Sequence, residues 1–129
     1  MPVAVREPHE LSTRLSASDT LLWNIERDPS LRTTIVAVTV LDRMPEWERV
    51  HERMAATCEL VPRLRQRVEP AWPFGPLCWR DDEHFDLDRH LHRVTLTSPA
   101  DRRALLDLAS EIATAPFDKA RPPWEFTVV

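Results

Sequence analysis

The 129-residue sequence predicts a mixed α/β (α+β) domain with an incomplete sheet, its strands alternating with two to three helices. Three observations predict this class. Apolar residues recur at helical spacing over 47–58 and 105–112. Between the helical stretches lie a β-branched run, "TTIVAVTVL" at 33–41, and an alternating run, "RLRQRVE" at 63–69. The final residues, "PWEFTVV", read as a strand without an evident neighbour, as at a sheet edge.

Residues 1–14 are polar and proline-bearing, a loose arm. "SASDTLLWNIER" starts a short helix, with Ser16 and Asp19 at capping-box spacing and Leu21, Leu22 and Ile25 as its apolar face. The run 33–41 is nearly all apolar and fits a strand buried on both faces. Pro45 opens a second helix near its first turn, Trp47, Val50, Met54 and Cys58 form its stripe, and Pro62 stops it. In 63–69, Arg63, Arg65 and Arg67 alternate with Leu64, Gln66 and Val68 as in a half-exposed strand. "AWPFGP" at 71–76 is a turn, and "LCWRD" at 77–81 is the returning strand. "FDLDRHLHRVTL" at 85–96 reads as a loop and then a strand. "SPAD" at 98–101 starts a third helix with Ser98 as cap and Pro99 in the first turn, and Leu105, Leu108, Ala109 and Ile112 make its buried face.

Composition excludes several function classes. The net charge of −4 and pI near 5.7 argue against nucleic acid, whose phosphates call for a basic surface. The single glycine, Gly75, excludes dinucleotide fingerprints, phosphate-binding loops and serine elbows, which all need several glycines. Cys58 and Cys78 have no zinc-ligand spacing and are expected as reduced thiols. No apolar run reaches the ~20 residues of a membrane span, and the first residues lack the apolar core of a secretory signal.

Candidate chemistry is sparse. His84, His90 and His92 cluster with Asp86 and Asp88, and His90 and His92 are expected on one strand face. Their spacing matches no established ligand pattern, so no metal site is assigned. Arg63, Arg65 and Arg67 could face a phosphate or an anionic head group, but three alternating charges are more often a solvated edge. The tryptophans read as packing residues, with Trp72 and Trp79 meeting across the hairpin. The closing stretch, "APFDKARPPWEFTVV", combines Pro116, Pro122 and Pro123 with Arg121 between two carboxylates, Asp118 and Glu125. An Arg–Asp clasp bracing the passage from helix to strand is the expected arrangement.

These residues carry a resemblance. "PFDKARPPWE" resembles the P-L-D-x-x-R-P-L-W-E stretch of the bacterial wax ester synthase/acyl-CoA:diacylglycerol acyltransferase family, with Pro116, Asp118, Arg121, Pro122, Trp124 and Glu125 matching. "LSASD" is similar to that family's L-S-x-x-D segment, "PRLRQRV" to P-x-L-R-x-R-L, and "FDLDRHL" to F-D-L-x-x-H-V, which places His90 on the motif histidine as a secondary site candidate. "SPADRRALLDLASEI" occupies the place of the following helix, so the likeness runs in order from Leu15 to Val129. Two positions depart inside the closing motif: Phe117 and Pro123 each stand where the family has leucine.

The resemblance implies a chloramphenicol acetyltransferase-like half-domain, here incomplete. It implies an O-acyltransferase that moves a fatty acyl group from acyl-CoA, a co-substrate rather than a cofactor, to a diacylglycerol or a long-chain alcohol. The family's general base lies in H-H-x-x-x-D-G, and none of His9, His51, His84, His90 and His92 is followed by that Asp-Gly. No residue of this chain is therefore expected to be catalytic. The chain is expected to be the first part of the acyltransferase's N-terminal domain, truncated before that motif and inactive alone. The alternatives are a non-catalytic lipid- or partner-binding remnant and one half of a split enzyme completed by a C-terminal portion. A cytoplasmic location is expected, with peripheral contact at a membrane or lipid droplet as the variant.

Overall fold

The computed structural model describes residues 13–129. The elements in order are α1 (Ala17–Ile25), α2 (Trp47–Leu60), β1 (Gln66–Pro70), β2 (Leu77–Asp81), β3 (Leu91–Arg93), α3 (Arg102–Thr114) and β4 (Phe126–Val128), with short 3-10 turns between them. The strands form two separate two-stranded sheets: β1 with β2, antiparallel, and β3 with β4, parallel. The mixed α/β class and its incomplete sheet are as the sequence predicts.

The arm expected over 1–14 lies outside the described residues except for its last two. Those two are bound rather than loose. Trp79 N–H donates to the Thr13 carbonyl at 2.6 Å, Arg14 bridges to Cys78, and Leu15 N–H donates to Leu77 O at 3.0 Å. They cover the outer edge of β2 and satisfy backbone groups that an open edge would leave bare.

Helix α1 starts as its sequence dictates: the Ser16 hydroxyl accepts from Asp19 N–H at 3.0 Å, satisfying one of the helix's orphan donors. On its apolar face Leu21 and Leu22 are exposed and Ile25 is half-buried, and no residue of the helix is buried. The run 33–41 departs most from expectation. It forms no ladder, and Ile35 and Val40 are 93% and 82% exposed. A β-branched run becomes a strand only when a neighbour accepts its backbone bonds, and no described segment forms a ladder with it.

Helix α2 keeps its predicted stripe, with Cys58 buried and Trp47, Val50 and Met54 half-buried. Glu46 is the cap, so Pro45 precedes the helix rather than entering its first turn. Pro62 ends it and opens a 3-10 turn, Pro62–Arg65, because its fixed φ suits a first helical position. The strand expected from residue 63 therefore begins at Gln66, and the alternating arginine face does not form. The β1–β2 hairpin closes through 71–76 with Val68 opposite Trp79 and Pro70 opposite Leu77. Trp72 and Trp79 take different partners: the Arg63 guanidinium lies 4.4 Å over the Trp79 ring, while Trp72 covers Gly75.

Helix α3 is capped by Asp101, whose carboxylate accepts from Ala104 N–H at 2.9 Å, and not by Ser98. Residues 98–101 form a bend closed by Asp101 N–H on Pro99 O at 2.9 Å, which moves the helix start three positions along. Its predicted face holds: Leu105, Leu108, Ala109 and Ile112 are half-buried, whereas Leu106 is exposed. The helix joins β3 to β4 and so permits their parallel pairing, Leu91 with Phe126 and Arg93 with Val128. The closing strand thus has a neighbour, contrary to expectation. The buried apolar residues among those described are Leu15, Cys58, Val68, Leu91 and Pro122, and His90 is the one buried polar residue among them.

Candidate functional site

The closing motif folds onto His90. The 3-10 turn Leu87–Arg89, capped by the Asp86 carboxylate on Asp88 N–H at 3.1 Å, delivers His90 to the start of β3, where only 2% of it is exposed. Its Nδ1 lies 2.8 Å from the Trp124 carbonyl oxygen. A carbonyl only accepts, so Nδ1 carries the hydrogen and donates. The imidazole stacks between Phe85 and Trp124, with centroids at 5.3 and 4.6 Å. The backbone repeats the tie, Phe126 N–H donating to the His90 carbonyl at 2.8 Å.

Trp124 reaches further. Its Nε1–H donates to the Leu64 carbonyl at 2.7 Å, joining β4 to the turn that precedes β1. Trp124 N–H bonds Pro122 O at 2.9 Å across Pro123, whose fixed φ suits this tight reversal. Pro122 is buried, while Pro116 is exposed.

Arg121 Nε lies 3.3 Å from Asp118 Oδ2, and Arg121 N–H closes the turn on the Asp118 carbonyl at 3.0 Å. Asp118 also accepts from Ala120 N–H at 3.0 Å. Glu125 is not part of this clasp; its carboxylate sits 3.6 Å from His92 Nε2, beyond hydrogen-bond length but within reach of an ion pair. Lys119, the single lysine, crosses to the other end of the described chain: Nζ donates to Trp23 O at 2.7 Å and lies 4.4 Å above the Trp23 ring. Burial pushes its pKa down. Arg32 donates to the Thr114 carbonyl at 2.6 Å nearby. A recess of about 20 Å³ between Trp23, Arg32, Phe117 and Lys119 has room for a water at most.

The expected histidine cluster disperses. His84 is exposed, His90 meets Trp124, His92 meets Glu125, and Asp88 pairs with His51 on α2 at 2.9 Å. His90 and His92 do not continue one strand face, because His90 has helical backbone angles (φ −108°, ψ −13°) that break the alternation. Among the described residues no three His, Cys, Asp or Glu side chains are placed to hold a metal ion. The arginines separate as well: Arg63 covers Trp79, Arg65 pairs with Glu59 at 3.0 Å, and Arg67 pairs with Glu69 at 3.0 Å.

Chemically this is a positioning assembly. His90 is enclosed and donates to a carbonyl, and among the described residues no hydroxyl, thiol or carboxylate is hydrogen-bonded to its ring. Sequence reasoning missed Phe85, Leu64, Lys119 and Arg32. The aromatic residue five places before His90 was a readable signal for Phe85. Leu64 acts through its main chain, which leaves no trace in residue type.

A profile of the wax ester synthase/diacylglycerol acyltransferase catalytic domain matches residues 15–129. The chain is 39% identical over 124 residues to Rv2484c of Mycobacterium tuberculosis, named as a candidate diacylglycerol O-acyltransferase; the match covers 95% of this chain and 25% of that protein. A second M. tuberculosis protein named in the same way, Rv1760, is 30% identical over 122 residues, covering 90% of this chain and 24% of its own length. Among solved structures, the wax ester synthase/diacylglycerol acyltransferase from Marinobacter aquaeolei VT8 superposes with a TM-score of 0.52 at 26% identity, over 67% of this chain and 22% of that one. The chain thus spans about a quarter of the length of the curated relatives it matches. No described helix is long and apolar enough to cross a membrane.

Proposed function

The chain belongs to the wax ester synthase/diacylglycerol acyltransferase catalytic-domain family, and from that premise we propose that residues 15–129 form an N-terminal scaffold of an acyl-CoA-dependent O-acyltransferase. In the complete enzyme a base takes the proton of an acceptor hydroxyl as its oxygen attacks the thioester carbonyl. A C–O bond forms, the C–S bond breaks, and coenzyme A leaves as the thiol. The acceptor is a diacylglycerol or a long-chain alcohol.

The observation that carries this reading is the convergence of the motif on one residue: Trp124 and the main chain of Phe126 both close on His90, which fixes β4. The motif's work here is to set the direction in which β4 runs. The 129 residues contain no H-H-x-x-x-D-G, so they contribute alignment and not the proton transfer.

Replacing the matching quarter of Rv2484c with residues 15–129 tests the proposal. Ester formation from long-chain acyl-CoA and diacylglycerol is expected at a rate comparable with the parent, and the 129-residue chain alone is expected to form none. A folded chimera without activity beside an active parent overturns the scaffold role. Ester formed by the chain alone overturns the assignment of the base elsewhere.

The split-enzyme reading has one observation in its favour, the exposed apolar run 33–41, which has backbone groups to offer a second polypeptide. Under it, the remaining three quarters of Rv2484c, made as a separate polypeptide, restores ester formation when mixed with this chain.

A further inference from the structure

We propose that the β1–β2 hairpin tip, residues 70–78, is a lipid-surface anchor that enters the interfacial zone of an uncharged phospholipid or neutral-lipid surface. The proposal does not rest on the acyl-transfer reading. It starts from Phe74, which is 106% exposed and has φ +66°. A bulky aromatic residue in the left-handed region is an outlier that costs energy, and such strain persists where something depends on it. Trp72 beside it is 62% exposed. No side chain from Pro70 to Cys78 carries a charge.

The backbone of the tip distinguishes a lipid surface from a polypeptide partner. Ala71 N–H donates to Pro76 O at 2.9 Å, Gly75 N–H donates to Trp72 O at 2.7 Å, and Arg80 donates to the Ala71 carbonyl at 3.3 Å. Pro70, Pro73 and Pro76 have no N–H at all. The tip therefore offers little main chain for strand pairing, unlike 33–41. It brings apolar side chains on a turn that satisfies much of its own hydrogen bonding, as a low-dielectric environment demands. Gly75 allows the fit: a Cβ there would stand 2.7 Å from the Trp72 ring, so glycine lets the indole lie flat across the turn. Behind the tip, Glu69 holds Arg67 at 3.0 Å and Arg80 at 3.3 Å, a charged collar suited to the head-group level. Tryptophan and phenylalanine with charges behind them fit a water–lipid boundary.

The test is partition of the 129-residue chain onto phosphatidylcholine vesicles, followed by flotation, with brominated-chain lipid as a tryptophan quencher. The chain is expected to float and its fluorescence to be quenched. Phe74→Asn is expected to lose partition roughly ten- to hundredfold, the worth of one buried aromatic side chain. Asparagine tolerates φ > 0, so the same variant should unfold at an equal or higher temperature, which separates lost binding from lost folding. Trp72→Phe should still partition but lose the bromine quenching. Raising NaCl from about 0.05 to 0.5 M should leave partition unchanged, because the inserted residues are uncharged. Failure of the native chain to float, equal flotation of Phe74→Asn, or partition abolished by salt overturns the proposal. So does a dimer that Phe74→Asn dissociates in the absence of vesicle binding, which would make the tip a contact between copies.

Discussion

His90 and Trp124 hold each other twice: their rings stack at 4.6 Å, and the imidazole Nδ1–H donates to the Trp124 carbonyl at 2.8 Å. Side chain and main chain of one residue thus serve the same buried partner, 34 positions away in sequence. Removing the histidine removes both contacts and leaves the carbonyl bare. His90→Ala is expected to cost about 2–4 kcal/mol, the sum of a core truncation and an orphaned acceptor. His84→Ala, on the surface, should stay within about 0.5 kcal/mol. Urea unfolding followed by circular dichroism measures both, and equal midpoints would remove His90 from the centre of the assembly.

Trp124→Phe separates the two functions of the indole. The stack on His90 survives, but the Nε1–H bond to Leu64 O at 2.7 Å is lost. The expected cost is about 1–2 kcal/mol, with Trp124→Ala costing clearly more. Amide exchange should speed up at β4 and in the turn 62–65 together.

The Asp118–Arg121 pair is half-exposed, so its Coulomb energy is small. Arg121→Gln should cost no more than about 1 kcal/mol. Asp118→Ala should cost more than Arg121→Gln, because it also removes the acceptor for Ala120 N–H. Thermal melts that reverse this order would show that charge, not the turn, is what Asp118 contributes.

Cys58 and Cys78 are both free, yet they should react differently. Burial pushes the Cys58 thiol above its ordinary pKa. In the native chain an aromatic disulfide reagent should therefore titrate Cys78 first, and in denaturant both at one rate. The sign with pH follows. Above the ordinary thiol pKa the unfolded chain releases the Cys58 proton while the native chain retains it. The thiol's contribution is thus complete at neutral pH and is lost as pH rises through the folded value. Cys58→Ala should flatten that alkaline part of the stability curve, and an unchanged slope would contradict it.

The exposed run 33–41 should govern solubility. Val38→Lys with Val40→Lys is expected to reduce concentration-dependent light scattering while moving the thermal midpoint little, since neither valine is buried. A large drop in the midpoint would mean that the run packs against the chain.

Much of this was legible where local chemistry decides. Ser16 caps α1, Leu77–Asp81 is the returning strand, and the face of α3 follows its spacing, because each depends on neighbours within a few residues. Legibility failed where an outcome belongs to a pair of distant segments. The run 33–41 has every strand preference and no ladder. Arg63 and Arg65 alternate like strand residues but sit in a turn that Pro62 opens. Asp101 displaced Ser98 as cap because both are good caps, and the bend chose between them. In the closing motif the Asp118–Arg121 clasp was readable at three residues' separation, whereas the bonds joining Trp124 to Leu64 and Lys119 to Trp23 span 60 and 96 residues.

The bond from Trp124 to Leu64 constrains its two ends unequally. The donor is an indole N–H, on a ring that also stacks on His90, and tryptophan is the residue type that carries that group. The acceptor is a peptide carbonyl, which every residue type supplies. Drift at position 64 can therefore rewrite the side chain without disturbing the joint, while position 124 has no comparable freedom. A comparison of residue types alone would register one half of this joint and pass over the other.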